Sequence, residues 1–309
     1  MTTLWYSAEA GRGHVNPPGH PEQVARLDAV EAALARMDGL ERREAPVAAE
    51  GDITLCHPTR YLDRVRNAVP TEGRVELDAD TTLSPGSFDA AMRAAGGMVA
   101  AIDAVLDGAA RNAFVGCRPP GHHAEVETAM GFCLFGNVAI GAMHALERRG
   151  LSRVAIVDFD VHHGNGTQDL LWDEARVLFV SSHQMPLYPG TGAMTERGAH
   201  RQVMNLPLPP GSDGVLMREI YETRVLPALR QNAPELLLIS AGFDAHAADP
   251  LAQLEWQTED YTWLTEQLCD VADAVCGGRV VSTLEGGYDL AALEASVAAH
   301  VAVLRDRSR

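Results

Sequence analysis

The chain has 309 residues, 46% of them hydrophobic, and sets 42 acidic side chains against 25 basic ones for a formal charge of −17. All 25 basic residues are arginines, which excludes a Schiff-base lysine, a lysine general base and the Gly-Lys-Ser/Thr phosphate loop. The acidic balance argues against direct nucleic-acid binding, which needs a basic face, and suits a cationic partner.

In chain order, short apolar runs at 53–56, 113–116, 154–159, 177–181, 236–240 and 280–284 read as strands. Helical patterns stand between and after them, at 87–106, about 136–149, 213–230, 259–275 and 290–304. The helix at 87–106 keeps Phe88, Ala91, Met92, Ala95, Val99, Ile102 and Val105 on one face. This alternation is that of an α/β chain with a parallel sheet covered on both sides. Neither a repeat nor a low-complexity linker appears, so residues 1–309 read as a single catalytic domain. Five cysteines without a CxxC pair suit reduced thiols. The opening Met-Thr-Thr-Leu-Trp-Tyr carries no signal-peptide pattern, and no apolar run reaches the ~20 residues of a membrane span. A cytoplasmic protein without a membrane partner is expected; no feature fixes an oligomeric state.

The segments at the ends of the strands carry the chemistry. The runs lead into Arg118-Pro-Pro-Gly-His-His123, Asp158-Phe-Asp-Val-His-His163, Ala241-Gly-Phe-Asp244 and Glu285-Gly-Gly-Tyr288. Ligands of open parallel sheets bind beyond the carboxyl ends of the strands, so these four polar segments converge on one crevice. Asp160 and His162, two apart in extended geometry, point the same way, and Asp244 completes an Asp-His-Asp set. Three protein ligands with one open position is the arrangement of a catalytic zinc. An isolated Asp-x-His pair is more often solvated than metal-bound; the convergence of strand ends is what favours the metal.

His122 and His123 form a second pair. Turn histidines bonded to local backbone are one reading of it; a proton carrier poised near neutral pH is the other. Such a base needs a partner on its far nitrogen, and Asp158 and Asn165 are both suitable. Tyr288 comes after two glycines that let backbone come close and leave its phenol free to donate to a developing oxyanion. An ordinary half-buried tyrosine is its commoner fate, and only the glycines and the strand end favour function. Ser181, Ser240 and Cys133 read as structural, and no Gly-x-Ser-x-Gly elbow exists. A metal-assisted hydrolase results.

At these residues the chain resembles the zinc-dependent histone deacetylase family, with its bacterial deacetylase-like amidohydrolases and acetylpolyamine amidohydrolases. The resemblance spans roughly 20–304 and also rests on Gly131-Phe-Cys133, Pro189-Gly-Thr-Gly192 and Asp249-Pro250. It implies a three-layer αβα arginase-deacetylase fold with a mainly parallel eight-stranded sheet. It assigns zinc to Asp160, His162 and Asp244, the general base and acid to His123, an electrostatic role to His122, and the carbonyl-polarising hydroxyl to Tyr288. His122 is matched with Asp158 and His123 with Asn165, where asparagine is similar to the class II pattern. The resemblance also implies potassium held by Asp158, the Ser181 hydroxyl and backbone at Ser182. Phe132 and Tyr188 match the aromatic walls of the substrate channel, with Gly131, Leu251 and Asp80 around them, and Arg26 matches an arginine near the acetate exit.

The implied reaction is deacetylation of acetyl-lysine side chains or small acetylated amines by attack of a metal-bound water. Leu251, where polyamine-selective relatives can carry glutamate, favours acyl-lysine, while the charge of −17 would draw polyamines as well. An acetylpolyamine deacetylase is therefore the alternative within the family, and an inactive acyl-lysine binding module the alternative outside it. A binuclear ureohydrolase is disfavoured because its Gly-Gly-Asp-His and Asp-Ala-His-x-Asp segments are replaced by Pro-Gly-His-His and Asp-Val-His-His-Gly.

Overall fold

A computed structural model describes residues 2–308. Its strands in chain order are β1 (Thr3–Ser7), β2 (Leu40–Glu44), β3 (Val75–Glu76), β4 (Thr82–Leu83), β5 (Asn112–Val115), β6 (Val154–Asp158), β7 (Val177–Gln184), β8 (Val203–Leu208), β9 (Leu236–Ala241) and β10 (Val280–Leu284). Its α-helices are α1 (Ala25–Leu34), α2 (Glu50–Ile53), α3 (Thr59–Ala68), α4 (Ser87–Leu106), α5 (Asn137–Glu147), α6 (Asn165–Leu170), α7 (Gly214–Ile220), α8 (Leu226–Asn232), α9 (Thr258–Cys276) and α10 (Leu290–Asp306). Apart from the small antiparallel β3–β4 pair, the strands form one eight-stranded sheet in the order β2-β1-β5-β10-β9-β6-β7-β8. Every pairing in it is parallel.

Both faces of the sheet are covered, as the unbroken burial of β6, β9 and β10 requires. Side chains alternate across a strand, and the core divides accordingly. Ala155 and Val157 of β6 with Leu237 and Ile239 of β9 pack under α1, α9 and α10 against Leu34, Leu268 and Val297. Val154 and Ile156 with Leu236 and Leu238 face the other way, against Ile102 of α4 and Val138 and Ala142 of α5. The expected three-layer arginase-deacetylase arrangement is thus present, its sheet wholly parallel. All five cysteines are free, and no helix among the described residues is long and apolar enough to cross a membrane.

Sequence expectations fail at three places. The run 53–56 is not a strand: Ile53 closes the short helix α2 and the next residues turn, burying Ile53 in a satellite core with Tyr61 and Leu62. Periodicity cannot separate a short strand from one helical turn when only a few apolar residues are in play. The helix over 213–230 is interrupted by a π-turn at Tyr221–Val225 before α8, where Pro227 can donate no backbone N–H to the turn before it. Strands β1, β2 and β8 are absent from the expected set, although β1 carries the apolar run Leu4-Trp5-Tyr6. Edge strand β2 is Leu-Glu-Arg-Arg-Glu, whose charge hides its pairing and also protects it, and β8 contains Pro207.

Candidate active site

The chain crosses from β5 to β6 past β10 and β9, so the crevice opens above the central strands. Each supplies one segment: β5 leads to His122 and His123, β6 to Asp158, Asp160 and His162, β9 to Asp244, and β10 to Glu285 and Tyr288. β7 carries Ser181 and Ser182 and leads to Tyr188.

Among the described residues, Asp160, His162 and Asp244 are the group of metal-ligating type whose donor atoms gather, all lying within 4.8 Å of one another and all buried. His162 Nδ1 stands 3.1 Å from Asp160 Oδ1 and 3.1 Å from Asp244 Oδ2. Tetrahedral zinc with bonds of about 2.0–2.1 Å sets neighbouring ligand atoms about 3.3 Å apart, so the donor set fits such an ion. Electrostatics agree. Burial, with Asp160 alongside, pushes the Asp244 carboxyl up to about 7. Burial opposes a charge on His162, yet its bonds to Asp160 and Asp244 raise it to about 10. Backbone fixes the carboxylates: Gly286 N–H donates to Asp160 Oδ2 at 2.8 Å and Val161 N–H to Asp244 Oδ1 at 2.9 Å. Gly286 cannot be replaced, because a Cβ there would stand 2.1 Å from Asp244 Oδ2.

The histidines sit beside this centre, their ring centroids 4.0 Å apart. His122 Nδ1 meets Asp158 Oδ2 at 3.0 Å, and His123 Nδ1 meets Asn165 Oδ1 at 2.7 Å. Since the amide oxygen only accepts, His123 carries its proton on Nδ1 and keeps Nε2 free. Burial lowers both histidines, but the carboxylates of Asp160 and Asp158 outweigh it and raise His122 well above its ordinary value. His123 has no carboxylate partner of its own, and burial, reinforced by His122, holds it well below. Two adjacent imidazoles are thereby driven to opposite protonation states.

A cavity of about 240 Å³ descends to this floor between Phe132, Tyr188, Leu187, Leu251, Asp80 and Tyr288. His123 and His162 also line it. Phe132 meets the Tyr288 ring edge-on at 5.9 Å, and Tyr188 meets His123 at 5.2 Å. Gly131, at φ 56°, lets the wall approach: a Cβ there would lie 2.3 Å from the His123 ring. Asp158 is in register with Ser181 across β6 and β7; the Ser181 hydroxyl bonds His183 and the Ser182 hydroxyl bonds Tyr221.

Three supporting groups have no role legible in the sequence. Asp249 Oδ2 accepts the Tyr288 N–H at 2.7 Å. Glu285 Oε2 accepts the N–H groups of Gly121 at 2.7 Å and His122 at 3.1 Å, anchoring the histidine pair from behind. Buried Glu22 pairs with Arg118 and Arg26, and Arg26 in turn donates to Gly287 O at 2.7 Å and lies 5.0 Å from the centre of the Tyr288 ring. Asp249 and Glu285 lie inside motifs that carry the family resemblance, but bonds to backbone leave no signal in residue spacing. Glu22 lies about 100 residues from Arg118, beyond the reach of any local pattern.

Fold and donor set together define a parallel α/β protein with a metal-type centre at its strand ends. The model of the histone deacetylase domain matches residues 20–304, and the chain belongs to the histone deacetylase family, and so to the hydrolases. It is similar to the uncharacterized protein slr0245 of Synechocystis, 46% identical over 304 residues, covering 96% of this chain and 97% of that one. A histone deacetylase-like amidohydrolase of Pseudomonas aeruginosa is 38% identical over 288 residues, covering 92% of this chain and 75% of the relative. The crystal structure of the HDA15 HD domain superposes with a TM-score of 0.93 at 33% identity, covering 99% of this chain and 88% of that one.

Proposed function

We propose that the protein deacetylates acetyl-lysine side chains or small acetylated amines with one zinc ion held by Asp160, His162 and Asp244. The observation that carries this reading is the donor set lying at the floor of an aromatic-walled cavity, beside two histidines whose Nδ1 atoms are held by different partners, Asp158 and Asn165. Zinc, when bound, supplies Lewis acidity towards an amide carbonyl and lowers the pKa of water it coordinates. His123, oriented by Asn165, takes the proton of the attacking water on Nε2 and passes it to the leaving amine. His122, held by Asp158, stays cationic and stabilises negative charge developing beside it. The Tyr288 hydroxyl donates to the forming oxyanion; burial raises the phenol well above its ordinary value, so the donor keeps its proton. Phe132 and Tyr188 sandwich the aliphatic stem of the substrate, and the apolar mouth at Leu187 and Leu251 favours a lysine stem over a second ammonium. A structural potassium ion is assigned to Asp158, Ser181 and Ser182, and five free thiols suit the reducing cytoplasm.

Turnover of an acetyl-lysine peptide, acetylputrescine and acetylspermidine, each with and without a chelator, tests the proposal. Chelator-sensitive release of acetate is expected, fastest from the peptide. No turnover of any of the three by zinc-loaded protein would overturn it; preference for acetylspermidine would move the substrate to polyamines.

A further inference from the structure

On the far side of the sheet edge from the candidate active site, three arginines gather round a second cavity, of about 210 Å³. It is lined by Leu178 of β7, by Val203, Met204 and the polar Asn205 of β8, and by Met194, Arg197, Arg201 and Arg224. All three arginines are exposed, and none has an ion-pair partner among the described residues. Acids are not scarce in a chain with 42 carboxylates for 25 arginines, and Arg12, Arg66, Arg93, Arg149, Arg176 and Arg307 each reach at least two, so these three are not left unpaired for want of counter-charges in the chain.

The lining is held in place by its own bonds. Val203 N–H donates to Arg197 O at 3.0 Å and Arg201 N–H to Gly198 O at 3.3 Å, closing a turn that carries both arginines. Arg201 stands at φ 63°, in the left-handed region that disfavours a residue with a Cβ. Buried Gln202 pins the turn from below, donating to Leu171 O at 3.1 Å and Trp172 O at 2.8 Å. Asn205, itself buried, donates to Gln168 Oε1 at 2.7 Å. From a separate element, Arg224 reaches Met194 Sδ at 3.8 Å while Arg197 Nε donates to Met194 O at 3.3 Å, so two of the three guanidinium groups meet at one residue.

We propose that this cavity is a second binding site, for a small organic phosphate. The arginines take the dianion through forked, charge-assisted hydrogen bonds, and the ligand's apolar part lies on Leu178, Val203 and Met204. Two features select this class over a neutral or cationic ligand: three arginines without an ion-pair partner line the cavity, and no carboxylate is among its lining residues. The site is independent of the deacetylase reading, since none of its residues lines the candidate active site.

Isothermal titration of the full-length, zinc-loaded protein with phenyl phosphate, inorganic phosphate and benzyl alcohol tests this. Phenyl phosphate is expected to bind in the micromolar to low-millimolar range, more tightly than inorganic phosphate, with benzyl alcohol showing no binding. Arg201→Gln and Arg224→Gln, on separate elements, are each expected to weaken phenyl phosphate about tenfold, the loss of one charge-assisted bond. Both variants should keep the wild-type melting temperature and acetyl-lysine turnover. Undetectable phenyl phosphate binding at about 10 mM, or affinity unchanged in both variants, would overturn the proposal; the latter result would place the anion elsewhere on the molecule.

Discussion

The Thr81 hydroxyl accepts the Phe132 backbone N–H at 3.0 Å and donates to Asp80 Oδ1 at 2.8 Å, and the same Asp80 oxygen accepts the Gly131 N–H at 3.0 Å. These bonds matter because Phe132 stands at φ 69°, a conformation that disfavours any residue with a Cβ. The channel wall is therefore held against its own backbone preference by a loop about 50 residues earlier in the chain. Replacing Thr81 by valine keeps the volume but takes away the partner of the N–H of half-buried Phe132, a cost of about 1 kcal/mol. Thr81→Val should raise KM for the acetyl-lysine peptide several-fold with little change in kcat. Steady-state kinetics of this variant alone and combined with Phe132→Gly check it: the glycine tolerates the conformation and has no wall to misplace, so Thr81→Val should add little to it. An unchanged KM in the single variant would remove Thr81 from channel assembly.

Tyr288 has its backbone N–H on Asp249, its ring against Arg26 and Phe132, and it lines the cavity. Tyr288→Phe should preserve the packing and lower kcat by about 10²-fold or more, the usual effect of removing one oxyanion donor. Metal content measured on the same sample should equal that of wild type, since Tyr288 is no ligand. Asp249→Asn should weaken the same step less severely, because it loosens the backbone and leaves the hydroxyl.

Removing the metal should cost stability as well as activity. Asp160 and Asp244 are both buried within reach of one nitrogen, and like charges so placed repel unless a cation lies between them. Chelation is therefore expected to lower the melting temperature, with recovery on adding zinc, by the mass action of a ligand that binds only the folded state. In Asp244→Ala the melting temperature should no longer respond to zinc. Identical melting curves with and without chelator would count against a resident ion.

How far the sequence reaches is set by where each interaction lies along the chain. Asp160 and His162 are adjacent on one strand end and Tyr288 comes directly after its glycines, so the donor set and the tyrosine are legible. The pairings His122–Asp158 and His123–Asn165 come from the family resemblance, and the atoms meet at 3.0 and 2.7 Å. Helix α4 is placed at its observed ends because twenty residues give periodicity room to declare itself. The illegible interactions are longer in range. Asp80 and Thr81 bond backbone about 50 positions away, so no side-chain pattern marks them. Glu22 is fully buried between two arginines, one of them 96 positions away, a pairing that no local pattern marks.

That buried cluster sets a final expectation, about acid. Burial opposes the charge of Glu22, but Arg118, with Arg26 and His14, holds its carboxyl down at about 2 against an ordinary 4.5. A carboxyl depressed in the folded state contributes stability above its unfolded pKa and loses it as pH falls towards the folded one, here between 4.5 and about 2. Buried histidines act earlier in the same direction. Burial lowers His57 from 6.5 to about 4 and His300 to about 3, so the unfolded chain gains protons that the folded protein refuses as pH drops below 6.5. The urea midpoint should accordingly decline as pH falls below about 6.5 and fall more steeply below about pH 4.5. Glu22→Gln leaves Arg118 and Arg26 buried without their counter-charge, a loss of about 3–5 kcal/mol at neutral pH. Its midpoint should start lower and lack the steep segment below about pH 4.5, because the titrating group is gone. A variant that retains that steep segment would show that acid acts through other carboxylates.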